Sequence, residues 1–164
     1  MRYWAVVVPA DRYEQERQVG NVSVTVAVPD GAGPGDQVVL VAATEPAVVF
    51  GLGTVTRDGA VRYLRRLFDA PLPADGLRAG PLASEVFDGL IAAAGPAAPV
   101  RSWLVGVDLP VEADTPAEAV RRYWSYVRDL GPAELPAYVS PVEDELAMQA
   151  YLLGAEAPLD PEED

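Results

Sequence analysis

Five short runs rich in β-branched and aromatic residues, each closed by a turn signal, fill the first 68 residues. They limit this part of the chain to a small, tightly connected sheet. RYWAVVV (2–8) is stopped by Pro9, and VSVTVAV (22–28) alternates apolar and hydroxyl side chains with the period of a half-buried strand. PDGAGPG (29–35) is a dense turn signal. QVVLVAA (37–43) and AVVFGLGTV (47–55) follow, linked by Thr44, Glu45 and Pro46. Asp58-Gly59 has hairpin chemistry and leads into VRYLRRLF (61–68). Between the first two runs, the polar stretch 10–20 suits a short helical turn ending at Gly20. Five strands at such spacing predict a small barrel or a curved sheet.

Gly51-Leu52-Gly53 at the end of an apolar run raises a nucleotide-binding question. A dinucleotide fingerprint needs a third glycine and a following helix, so that pyrophosphate meets the helix N-terminus. Thr56 stands where that glycine belongs, Asp58 has the wrong charge, and the chain continues as strand, turn and strand. The phosphate reading therefore fails. Glycines inside a strand instead mark a bend, a bulge or the close approach of another backbone.

Gly35-Asp36, the strand VVLVAA, a short link and AVVFGLGTV, together with the aromatic first strand RYWAVVVP, resemble PUA-like domains of the EVE and ASCH groups. The resemblance covers roughly residues 2–68. It implies a small β-barrel with helices at its edge, and binding of nucleic acid, in some members through a modified base held in an aromatic-lined pocket. It casts Trp4 and Tyr63 as stacking or pocket residues, although an aromatic on a first strand also serves as core. Arg57, Arg62, Arg65 and Arg66 form the chain's basic cluster and are candidates for phosphate contact. The alternative is a solvated strand face that pairs with acidic residues elsewhere.

Residues 70–81 are rich in Pro and Gly and predict irregular chain, whereas 83–95 suits an amphipathic helix stopped by Gly95. AGPAAP (94–99) reads as a linker. The second part has a candidate strand over 102–111 and then a strong helix start. Asp114 or Thr115 can cap, Pro116 fits the first turn, Glu118 faces the dipole, and Gly131 is a stop. Residues 135–141 and 145–154 predict two more strands. The expected fold is thus α+β: a PUA-like barrel part over 1–95, an acidic β-α-β-β part over 100–157, and an acidic mobile tail over 158–164.

Composition decides several functional questions. The chain has no cysteine and no histidine, which removes disulfides, thiolate ligands, the commonest general base and any Ser-His-Asp triad. Ser84, Ser102, Ser125 and Ser140 have no lysine or histidine to activate them, since every basic residue is an arginine. Glu143, Asp144 and Glu145 lack the spacing and glycine of a calcium loop. No catalytic residue, metal or cofactor is expected, and the protein reads as a non-enzymatic binding protein. Residues 1–100 hold eight arginines against eleven acids, a balance of −3, and 101–164 hold four against fourteen, a balance of −10. Any contact with RNA or DNA is therefore expected in the first part. No signal-peptide pattern or membrane-spanning run is present, so the expected location is the cytoplasm. The competing expectation is a protein–protein interaction or assembly role without nucleic acid, including self-association through the C-terminal part.

Overall fold

The computed structural model describes residues 1–157. The chain divides into two compact units, Met1–Ala97 and a second from Ala98 onward. Both mix helix and sheet, so the fold class is α+β. The tail over 158–164 lies outside the described residues.

The first unit contains β1 (Tyr3–Val8), α1 (Ala10–Gln18), β2 (Ser23–Val24), β3 (Gln37–Ala42) and β4 (Val48–Val55). It continues with β5 (Val61–Arg66), β6 (Leu72–Pro73), β7 (Gly80–Leu82) and α2 (Ser84–Ala93). Its sheet runs β2-β5-β4-β3-β1-β7, with β6 paired to β4. β1 lies parallel to β3, from Tyr3 opposite Gln37 to Val8 opposite Ala42. That pairing requires a crossover connection, which α1 and the chain after it provide.

Alternation along the strands creates two cores. Trp4, Val6, Val8, Val38, Leu40 and Phe50 face one side, where Tyr13 of α1 covers them. Val39, Val41, Val49 and Leu52 face the other, with Phe87 of α2 and Ala74. β3 is buried on both sides, which is why its sequence is a continuous apolar run rather than an alternating one.

Double coverage also corrects the expected barrel. Among the described residues the pairing path ends at β2 on one side and at β7 on the other, and no closure joins them. A barrel wraps one interior, whereas this sheet has a core under α1 and another under α2, so closure is not needed to bury its apolar faces. Two shorter corrections follow. Only Ser23–Val24 of the run 22–28 pairs as strand, and the stretch 70–81, expected to be irregular, holds β6 and the start of β7.

The glycines of β4 have a steric reason. A side chain at Gly51 would lie 2.9 Å from Cε1 of Tyr63 and 3.2 Å from Cδ1 of Leu40. One at Gly53 would lie 2.5 Å from Cγ1 of Val61 and 2.6 Å from the carbonyl oxygen of Arg62. Register shifts interrupt the pairing at Leu40/Val41 and at Leu52/Gly53. Gly51 and Gly53 thus let β5 approach β4 closely beside a bulge.

The second unit comprises β8 (Trp103–Gly106), α3 (Pro116–Leu130), a 3-10 turn (Gly131–Ala133), β9 (Ala137–Pro141), β10 (Gln149–Leu152) and β11 (Ala155–Ala157). Its antiparallel sheet has the order β11-β10-β9-β8. α3 begins as its sequence predicts: the Thr115 hydroxyl oxygen accepts from the Glu118 N–H at 3.2 Å, and Gly131 closes the helix at φ 63°. The expected β-α-β-β pattern gains a fourth strand. The predicted last strand over 145–154 is shortened to Gln149–Leu152, and Leu153 (φ 54°) and Gly154 (φ 76°), expected to continue it, make a two-residue turn that folds the chain back as β11. Leucine is a rare occupant of that conformation, so no turn signal announced it. No described helix is long and apolar enough to cross a membrane.

Candidate functional site

The arginines that cluster in the sequence do not share one face in the fold. Gly53 pairs with Tyr63 while Leu52 pairs with Arg65, which leaves Leu64 as the extra residue of a bulge. The bulge resets the alternation of β5. Val61 and Tyr63 belong to the α1 side, whereas Leu67, two residues beyond Arg65, belongs to the α2 side.

Arg65 is accordingly taken up by α2. Its Nη1 donates to the Gly95 carbonyl at 2.9 Å and its Nη2 to the Ala94 carbonyl at 3.0 Å, at the C-terminal end of that helix. Carbonyls left over at a helix end are a favourable place for a cation. Arg66 turns to the other side and lies over the Tyr63 ring, 5.5 Å from its centroid, with Nη2 donating to the Gly20 carbonyl at 3.3 Å. Arg57 and Arg62 are exposed, on the 56–60 turn and on β5. Within the first unit none of these four arginines forms an ion pair with a carboxylate. Asp58, the nearest acid in sequence, accepts instead from the Thr56 hydroxyl at 2.5 Å.

Tyr63 sits above a buried polar group that the sequence did not single out. Glu16 of α1 is 2% exposed. It pairs with Arg12 at 2.7 Å and accepts from Asn21 Nδ2 and from the Tyr63 hydroxyl, both at 3.4 Å. Burial, and then the Glu16 charge, raise the Tyr63 hydroxyl above its ordinary pKa, so it remains a neutral donor. Tyr13, three positions before Glu16, is also buried, and that i, i+3 spacing is the signal that α1 turns both residues inward. Beside this group, Tyr13, Phe50, Phe68 and Tyr63 form a chain of ring contacts with centroids 5.0–6.2 Å apart. Arg17 lies 5.7 Å from the Tyr13 centroid, as Arg66 does over Tyr63. Two cations thus cap two tyrosines of one aromatic cluster.

Trp4 has a different setting from Tyr63. It is 8% exposed in the core, and its indole N–H donates to Asp36 at 3.1 Å. Asp36 also accepts from the Arg2 N–H at 3.0 Å and the Gly33 N–H at 3.1 Å, and it pairs with the Arg2 guanidinium at 2.9 Å. Burial alone would raise this carboxyl; the Gly33, Trp4 and Arg2 donors outweigh it and hold the group at about 2. Gly35-Asp36 is therefore a structural clamp that joins the start of β1 to the start of β3.

Among the described residues no three carboxylates gather closely enough to hold a metal ion. The chain matches no family model, no curated protein and no solved structure.

Proposed function

We propose that the first unit is a PUA-like module that binds nucleic acid along β5 and its preceding turn. Arg57, Arg62 and Arg66 would contact phosphates, and Tyr63 would supply the aromatic surface for a base, including a modified one, once the Arg66 guanidinium that lies over its ring turns to a phosphate. The observation that carries this reading is the set of exposed guanidiniums on one strand and turn with no carboxylate paired to them in their own unit. In a unit of net −3, such a cluster is a local reversal of sign suited to an anionic chain. Trp4 and Arg65 enter as support. Trp4 anchors β1 through Asp36, and Arg65 fixes the end of α2 against β5.

The test is a titration with short single-stranded and duplex RNA and DNA from low to moderate salt. Three phosphate contacts on a single strand give a slope of log K against log salt of about −2. Replacing Arg57, Arg62 or Arg66 with alanine should flatten the slope by about 0.7 for each residue. Arg65→Ala should leave the slope unchanged and lower stability instead. No binding at low salt, where electrostatic attraction is strongest, would sink the proposal.

A further inference from the structure

β8 forms one edge of the second sheet, and all four of its residues are exposed. Trp103 is 50% exposed, Leu104 45% and Val105 67%. Edge strands in natural proteins are normally blunted by a charge, a proline or a bulge. WLVG carries none of these, and its pairing with β9 runs without a register shift. The opposite edge, β11, is three residues long with Glu156 at its centre.

The backbone of β8 shows which groups lack a neighbour. Val142 N–H donates to the Ser102 carbonyl at 3.3 Å, and Pro141, opposite Trp103, has no N–H to give. Alternation in an antiparallel ladder then aims the backbone groups of Ser102, Leu104 and Gly106 at β9. Those of Trp103 and Val105 point outward, two N–H and two C=O groups facing away from the sheet.

From this we infer that β8 pairs antiparallel with β8 of a second copy of the chain, about a two-fold axis through Leu104. Such an axis keeps the faces of the two sheets continuous, so residues that meet must come from the same face. Centring on Leu104 sets Trp103 opposite Val105 of the second copy and Val105 opposite its Trp103. All four outward groups of each strand are then paired, and Leu104 meets its own counterpart. Centring on Trp103 or on Val105 would pair only one of the two outward-facing residues of β8 with its counterpart in the other β8.

The side chains suit the same arrangement. Trp–Val is a favourable aromatic–β-branched cross-strand pair, and it occurs twice. No charge of the acidic second unit lies on the joined strands. Beyond their ends, Arg101 of one copy comes to the same end as Asp108 of the other, and neither has an ion-pair partner among the described residues. Trp103 and Val105 also line, with Ala137, Val139 and Tyr151, an open apolar groove of about 380 Å³. Pairing at β8 makes that face continuous across eight strands. The inference concerns the second unit alone and stands whether or not the first binds nucleic acid.

Because the chain has no cysteine, single engineered thiols test the register directly. Leu104→Cys faces itself in a non-hydrogen-bonded pair, where Cβ atoms lie close enough for a disulfide, and should oxidise readily to a covalent dimer. Val105→Cys faces Trp103 and should not. Val105→Pro removes an N–H that points away from β9, so the unit's own ladder survives while the dimer loses two hydrogen bonds. Its dissociation constant, by light scattering or sedimentation, should rise about ten- to a hundredfold, with the circular dichroism unchanged. A native chain that is monomeric at tens of micromolar overturns the inference, as does equal cross-linking of Leu104→Cys and Val105→Cys. Should Val105→Pro fail to fold, the two cysteine variants decide the matter alone.

Discussion

At the scale of single residues, the two glycines of β4 differ in what they tolerate. The atoms nearest a new Cβ at Gly51 are side-chain ends of Tyr63 and Leu40, which can shift. At Gly53 one of them is the Arg62 carbonyl oxygen at 2.6 Å, fixed in the β5 ladder. Gly53→Ala should therefore cost more than Gly51→Ala, in the range of about 1–3 kcal/mol for overpacking, read from urea midpoints. Equal effects would mean that β5 is free to move away. Asp36 provides a pH signature. Its carboxyl is held at about 2, below the usual value of about 3.9, so its contribution to stability is complete above about pH 4 and disappears as pH falls to about 2. Asp36→Asn should be less stable than the native chain at pH 6, and the gap should narrow across that window in paired unfolding curves. Both residues belong to motifs that could be read in the sequence, but their partners could not. Trp4, whose indole N–H donates to Asp36, lies 32 positions away, and only the parallel pairing of β1 with β3 brings them together.

Among the elements, legibility follows how local the determining signal is. α3 has a cap, a first-turn proline, a dipole-matched glutamate and a terminal glycine within seventeen residues, Thr115 to Gly131, and its ends fall where those signals place them. β5 is the opposite case. Its four arginines look like one patch in sequence, yet a bulge at Leu64 breaks the alternation that would place Arg65 on the Tyr63 side, sending Arg65 to α2 and Arg66 back over Tyr63. A bulge depends on the partner strand and leaves no local mark. The fourth strand of the second sheet was hidden for a related reason, because its turn uses Leu153 where glycine or asparagine would have shown it. Since no residue of α3 is buried, packing adds little to its stability and the cap carries more weight than usual. Thr115→Ala should cost about 1 kcal/mol of helix stability. Faster amide exchange at Glu118 and its neighbours, with β3 unaffected, is the expected result; an unchanged exchange rate would show that the Glu118 pairs with Arg121 and Arg122 suffice.

For the whole molecule, the two units differ in how they are held together. Every member of the two apolar clusters lies within residues 1–97. In the second unit, Leu135, Ser140 and Ala150 are the only described residues that are buried. A sheet and a helix that bury so little gain little from the hydrophobic effect as an isolated monomer, and association is the natural remedy. Proteolysis can separate these cases. Arg101 lies in an eight-residue stretch without regular structure from Gly95 to Ser102, whereas Arg78 lies in a shorter loop held at both ends by the paired strands β6 and β7, Arg57 sits in a hydrogen-bonded turn, and Arg62, Arg65 and Arg66 lie in a strand. Trypsin should cut first after Arg101, giving a fragment of residues 1–101 identifiable by mass. That fragment should keep a cooperative thermal transition whose midpoint is independent of concentration. The remaining fragment, from Ser102 on, should melt at a temperature that rises with concentration, as expected where folding draws on a second copy. A concentration-independent midpoint for the second fragment would show that it stands without a partner, and would count against β8 as its point of assembly.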